Sequence, residues 1–137
     1  MLYYKTRTID WTYLLFMWEY DAEVLRVVDG DTVYLKVSKD YDFGFKIKQR
    51  QSYEGSFRLI NIDTPELRGG TDETKQAARD ATARLKEILG EAQKLKAVTY
   101  KPDNFGRWLV ELFVVTDDGQ ESSINEQLIL EGHAVRM

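Results

Sequence analysis

The chain has 137 residues, enough for one domain with a real core, and 43% hydrophobic with 31% charged residues is an ordinary globular composition. It has no Cys, which excludes disulfides, thiolate metal sites and a Cys nucleophile. Its single His, His133, argues against a multi-His metal site or a His-based triad. The net charge of −4 is not that of a wholly basic nucleic-acid binder, so positive charge facing a polyanion would have to be concentrated locally.

Residues 1–16 are expected to form a loosely held extension before a single domain over 17–137. Lys5 and Arg7 precede a short apolar run from Trp11 to Trp18, but Asp10 and the lack of a small-residue cleavage site make it a poor export signal. A cytoplasmic location is favoured over secretion. No segment approaches the roughly 18 apolar residues of a membrane span. Residues 19–28 read as a strand, then "DGDT" as a hairpin turn into "VYLKV". Residues 38–54 read as a long polar connection and 55–62 as the next strand. The clearest helix is "TDETKQAARDATARLKEILG". Thr71 can cap it, Asp72 and Glu73 suit its positive end, and Gly90 can close it. Ala77, Ala78, Ala81, Leu85, Ile88 and Leu89 give it one apolar face. Residues 94–100 and 107–115 are two further strands, with a turn at 117–119. "SINEQLILEG" then opens on a capping box of Ser123 with Glu126. About five strands with a helix between the third and fourth suit an α+β, mainly β fold: a small OB-type barrel with two to three packed helices.

Three places are hard to explain as packing alone: Asp29-Gly30-Asp31-Thr32, Arg58 with Asp63-Thr64-Pro65-Glu66, and Asn104-Phe105-Gly106-Arg107. Singly, each also reads as a turn or a helix start. Together they offer hard oxygen donors for a cation such as Ca²⁺ and two guanidinium forks for a phosphate. That set suits attack on a phosphodiester, with a carboxylate left over to orient or deprotonate water.

"VVDGDTVYL", "FRLINIDTPEL", "DNFGRWLVELFV" and "INEQLILEGHAV" resemble the successive motifs of the staphylococcal nuclease (thermonuclease) family, in the family's order, over residues 24 to 135. The resemblance implies an OB-fold barrel and Ca²⁺-dependent cleavage of DNA and RNA leaving 3′-phosphate ends. It assigns Asp31, Asp63 and the Thr64 backbone carbonyl to calcium, Glu66 to the nucleophilic water, and Arg58 and Arg107 to the scissile phosphate. A monomer acting on nucleic acid is expected, with no membrane or protein partner.

The sequence also departs from the family pattern. Phe105 stands where a Tyr is frequent, Asn104 replaces a common Lys, and the Tyr-bearing tail of some members is absent after "GHAV". These bear on substrate affinity and base preference more than on chemistry. Lys46, Lys48 and Arg50, interleaved with aromatic residues, offer a backbone track with stacking surfaces, and Phe105 a further substrate contact. A solvated hairpin explains the same residues. Arg68 beside Gly69 and Gly70 could form a mobile lip, and His133 reads as structural. Two rival functions remain open at this level: a non-catalytic OB module that binds nucleic acid or protein, and a structural calcium domain, which would leave both arginines without a task.

Overall fold

A computed structural model of the protein describes residues 19–42, 48–100 and 107–137. The expected extension, Lys46 and Phe105 lie outside the described residues. The elements in order are β1 (Glu19–Asp29), β2 (Thr32–Asp42), β3 (Lys48–Leu59), β4 (Ile62–Asp63), α1 (Asp72–Glu91), β5 (Leu95–Tyr100), β6 (Trp108–Val115), β7 (Glu121–Ser123), α2 (Ile124–Leu130) and β8 (Val135–Arg136). Among the described residues no helix is long and apolar enough to cross a membrane.

The main sheet runs β3-β2-β1-β5-β6-β7, and a further pairing of β3 with β6 closes five of its strands into a barrel. The closing seam is parallel and short: Phe57 beside Trp108, Arg58 beside Leu109, Leu59 beside Val110. Strand alternation sends one side of each strand inward. Val33, Leu35 and Val37 from β2, Phe57 and Leu59 from β3, and Val110 and Leu112 from β6 are buried together, with Leu85 and Ile88 of α1 and Ile124 and Leu128 of α2 in the same cluster. This is the expected OB-type barrel with its packed helices.

Several boundaries differ from expectation for identifiable reasons. The stretch at 38–54 is largely not a loose connection. β2 and β3 stay paired without a break from Thr32 opposite Arg58 to Asp42 opposite Lys48. The strand expected over 55–62 stops at Leu59, where Asn61 turns the chain at φ 66°, a conformation Asn tolerates better than most residues. Ile62 and Asp63 then pair with β8 instead. Gly90 does not end α1, which continues to Glu91 and is capped at Ala92. Thr71 does cap its start, in a reciprocal box with Thr74. On α2 the capping box is half formed. Ser123 Oγ accepts from the Glu126 N–H, but the Glu126 carboxylate turns away to the Arg136 fork at 2.6 and 3.0 Å. A bidentate guanidinium is the stronger partner.

Candidate functional site

The site is built where the β1–β2 turn meets the turn after β3. Gly30 makes that approach possible. A Cβ there would lie 2.9 Å from Thr64 Oγ1 and 3.0 Å from the Ala81 Cβ of α1, tighter than real side chains allow. Asp31 beside it is buried. Its backbone carbonyl accepts from the Leu59 N–H at 2.8 Å, which fastens the turn to β3.

The Asp31 carboxylate is held on both oxygens. Thr32 Oγ1 donates to Oδ1 at 3.1 Å, while the Thr64 N–H donates to Oδ2 at 3.4 Å. Arg58 Nη2 also donates to Asp31 Oδ2, at 3.3 Å, and the same nitrogen donates to Asp63 Oδ1 at 3.4 Å. One guanidinium nitrogen therefore sits between two carboxylates that come from different turns. The Arg58 and Asp31 side chains are only 15% and 11% exposed, whereas that of Asp63 is 57% exposed and opens to solvent. Neighbouring Asp29 accepts from the Asp31 N–H at 3.1 Å. Burial, and then the side-chain hydrogen bond with the Asp31 carboxyl, push the Asp29 carboxyl up to about 6 against the opposite pull of that backbone N–H.

The separation of Arg58 from Asp63 is set by a turn that is bolted on three sides. The Ile60 N–H donates to the Val110 carbonyl at 2.9 Å, and the Met137 N–H to the Asn61 carbonyl at 3.0 Å. From α2, buried Asn125 donates to the Ile60 and Val110 carbonyls, each at 3.1 Å, and accepts from the Leu112 N–H at 3.2 Å. The strand expected over 55–62 does not run between these two residues, since β3 ends at Leu59. A braced turn holds them together.

Glu66 is exposed on the wall of a cleft of about 730 Å³, which it shares with Asp63, Thr64, Arg68, Asp80 and His133. His133 thus faces the same space as Glu66. It is delivered there by the left-handed Gly132 (φ 81°) and by its own N–H donating to the Leu128 carbonyl at 2.9 Å. Gly69 and Gly70, also in left-handed conformations, line the same cleft beside Arg68. Arg107 is half-buried immediately before β6. It stands two residues before Leu109, the seam partner of Arg58. Met137 was not singled out from sequence, yet its Sδ accepts from Arg58 Nη2 at 3.6 Å. Asn125 was likewise missed. No local pattern marks either residue, because their partners lie 79 and 65 positions away.

Of the expected substrate track, only the Arg50 side chain lies among those described. Arg50 is exposed on the β2–β3 ribbon. It is engaged there by Asp40 Oδ1 at 2.7 Å, Ser38 Oγ at 2.6 Å and Asp21 Oδ2 at 3.5 Å. Lys48 opens β3 opposite Asp42.

Could the site hold a metal? Among the described residues no group of three or more His, Cys, Asp or Glu is arranged to do so. The donors present are nevertheless of one chemical kind. The Asp31 and Asp63 carboxylates reach a common guanidinium nitrogen, and Thr64 Oγ1 is a buried polar atom without a hydrogen-bond partner. Hard oxygens suit a hard cation. Calcium takes six to eight of them, so water and substrate oxygens would have to complete the shell.

A closed five-stranded barrel with helices packed on it, carrying a carboxylate–arginine cluster at a turn, defines an OB-fold protein of the SNase-like α+β type. The family described as staphylococcal nuclease homologue matches residues 56–137, and the chain belongs to it. That match takes in Arg58, Asp63, Thr64, Glu66 and Arg107, while Asp31 lies before it. Endonuclease YhcR of Bacillus subtilis (strain 168) is 30% identical over 123 residues, 85% of this chain but 9% of that protein's length.

Proposed function

We propose that the protein is a calcium-dependent phosphodiesterase that cleaves DNA, and RNA as well, to products ending in a 3′-phosphate. The observation that carries this reading is Arg58 Nη2 lying 3.3 Å from Asp31 and 3.4 Å from Asp63. Carboxylates and a phosphate-binding fork are together in one small volume, which neither a bare binding module nor a structural cation site requires. Family membership and an endonuclease relative support the same class.

In this reading Asp31, Asp63 and the Thr64 carbonyl hold the ion. Calcium, when bound, would offset charge on the phosphoryl oxygens. Arg58 leaves its carboxylate partners to the cation and turns its fork to the scissile phosphate. Arg107, just before the neighbouring strand, grips the same group and stabilises the crowded transition state. Glu66, exposed on the cleft wall, orients or deprotonates the attacking water.

The test is digestion of single-stranded DNA and RNA in Ca²⁺, in Mn²⁺ and in EGTA. The expected result is cleavage that needs Ca²⁺. Glu66→Gln should lose about 10²–10⁴ in rate and Arg107→Ala about 10²–10³. Wild-type protein that binds nucleic acid without cutting it under any of these ions would replace the enzyme by a non-catalytic OB module. Metal-dependent melting with neither binding nor cleavage would leave a structural cation site.

A further inference from the structure

On the interior side of the β3–β6 seam, away from the carboxylates, the barrel has a second opening. β3 and β6 pair from Phe57 and Trp108 onward. A pocket of about 240 Å³ lies at that end of the seam, walled by Tyr20, Val37, Tyr53, Phe57, Thr99 and Trp108. Barrel mouths are a common place for ligand sites, and those for drug-sized ligands measure roughly 300–1,000 Å³. This one is smaller and fits a single ring system.

Its walls are shaped for a ring. The Tyr53 side chain lies across Gly55, where an added Cβ would sit 2.6 Å from the phenolic oxygen and 2.7 Å from a ring carbon. Tyr53 meets Phe57 edge-on at 6.1 Å between centroids, yet remains 50% exposed. Among the described residues no charged side chain lines the pocket. Gln51 and Ser52 at its rim supply an amide and a hydroxyl, groups that can both donate to and accept from the edge of a heterocycle. Arg107, assigned above to the scissile phosphate, immediately precedes Trp108 in the chain.

We propose that this pocket receives one unstacked nucleobase of a single-stranded nucleic acid whose backbone lies along Arg107 and Arg58. The inference rests on the nuclease reading for its substrate class. A neutral, flat, aromatic-walled space one residue from a phosphate-binding arginine matches one nucleotide in two parts, base inside and phosphate outside. Base–aromatic stacking is tolerant of sequence, so the pocket would require an unpaired strand more than it would select a base. A duplex keeps its bases stacked and could not fill it.

Two measurements separate this inference from the reading beneath it. The first is photocrosslinking of single-stranded oligonucleotides carrying one 5-iodouracil, in EGTA, with the linked residue mapped by mass spectrometry. Crosslinks at Tyr53, Phe57 or Trp108 are expected, and cleavage is not needed to see them. Crosslinks only elsewhere, or none, overturn the pocket even if the protein cuts DNA. The second is cleavage kinetics on oligonucleotides with a single abasic position moved along the strand. One register should raise KM by roughly tenfold with kcat unchanged. Tyr53→Ala, and Gly55→Ala, which pushes the Tyr53 ring aside, should raise KM on intact strands and abolish that register dependence. Equal KM at every register, or an unchanged KM in both variants, overturns the pocket. Crosslinking at the pocket without any cleavage would instead retain it and remove the nuclease.

Discussion

Arg58 and Arg50 stand on the same strand, and each meets two aspartates. Arg50 does so at the surface. Its side chain is 49% exposed, and its partners Asp21 and Asp40 are more open still. Arg58 does so at the meeting of two turns, where Asp31 is almost closed to solvent. The same charges therefore have different consequences. Water and salt screen the Arg50 cluster, so it braces a ribbon at little net gain. In the Arg58 cluster Arg58 and Asp31 have lost most of their water while Asp63 stays open, and removing Arg58 leaves the Asp31 charge buried and uncompensated. The exchange of a guanidinium for a cation and a phosphate that we propose would draw on the second environment.

The largest break in this comparison should come from Arg58→Ala. Beyond the rate loss expected for a phosphate-gripping group, unfolding in urea without metal should show a destabilisation of about 3 kcal/mol. Ca²⁺ should restore part of it by taking over Asp31. Arg50→Ala should leave both the melting temperature and kcat nearly unchanged. Equal effects from the two variants would dissolve the distinction.

Next in size is Asn125→Ala, which strips partners from the Ile60 and Val110 carbonyls and the Leu112 N–H. About 2–3 kcal/mol should be lost in urea unfolding. Activity should fall at temperatures where the protein is still folded, because the turn between Arg58 and Asp63 is no longer bolted from behind. Full activity in a merely less stable protein would show that the turn needs no such brace.

The smallest effect sharpens the surface side of the comparison. Arg84 holds Glu131 with two hydrogen bonds, at 2.6 and 2.9 Å, tying α1 to the end of α2. Arg84, then Gln127, keep the Glu131 carboxyl at about 2, below its ordinary 4.5. A depressed carboxylate stabilises the fold above about pH 4.5 and loses that contribution as the pH falls toward 2. Melting temperatures from pH 6 to pH 2 should fall less steeply in Arg84→Ala than in the wild type. Parallel curves would remove Glu131 from the acid response.

Much of the site was legible as chemistry before it was legible as geometry. "DGDT", "IDTPE" and an Arg before a strand name the residue types, and the family resemblance singled out Asp31, Arg58, Asp63, Glu66 and Arg107. Hydrophobic alternation and the Thr71 and Ser123 caps placed the strands and both helices, because these signals depend on neighbours within a few residues. The ribbon at 38–54 was under-read since its polar alternation fits an exposed strand and a loop equally well. The break at Asn61 was missed because a single left-handed residue leaves little trace in a pattern of apolar residues.

What the sequence determined by itself was local: which segments become strands or helices, and which turns carry charge. The tertiary structure decided which charges share a volume. Closure of β3 onto β6, the close approach permitted at Gly30 and the Asn125 brace set Arg58 between Asp31 and Asp63 in one partly buried cluster, and leave Arg50 outside it. Burial is a property of the assembled barrel, and burial is what separates an ion pair that can serve a reaction from one that only decorates a surface.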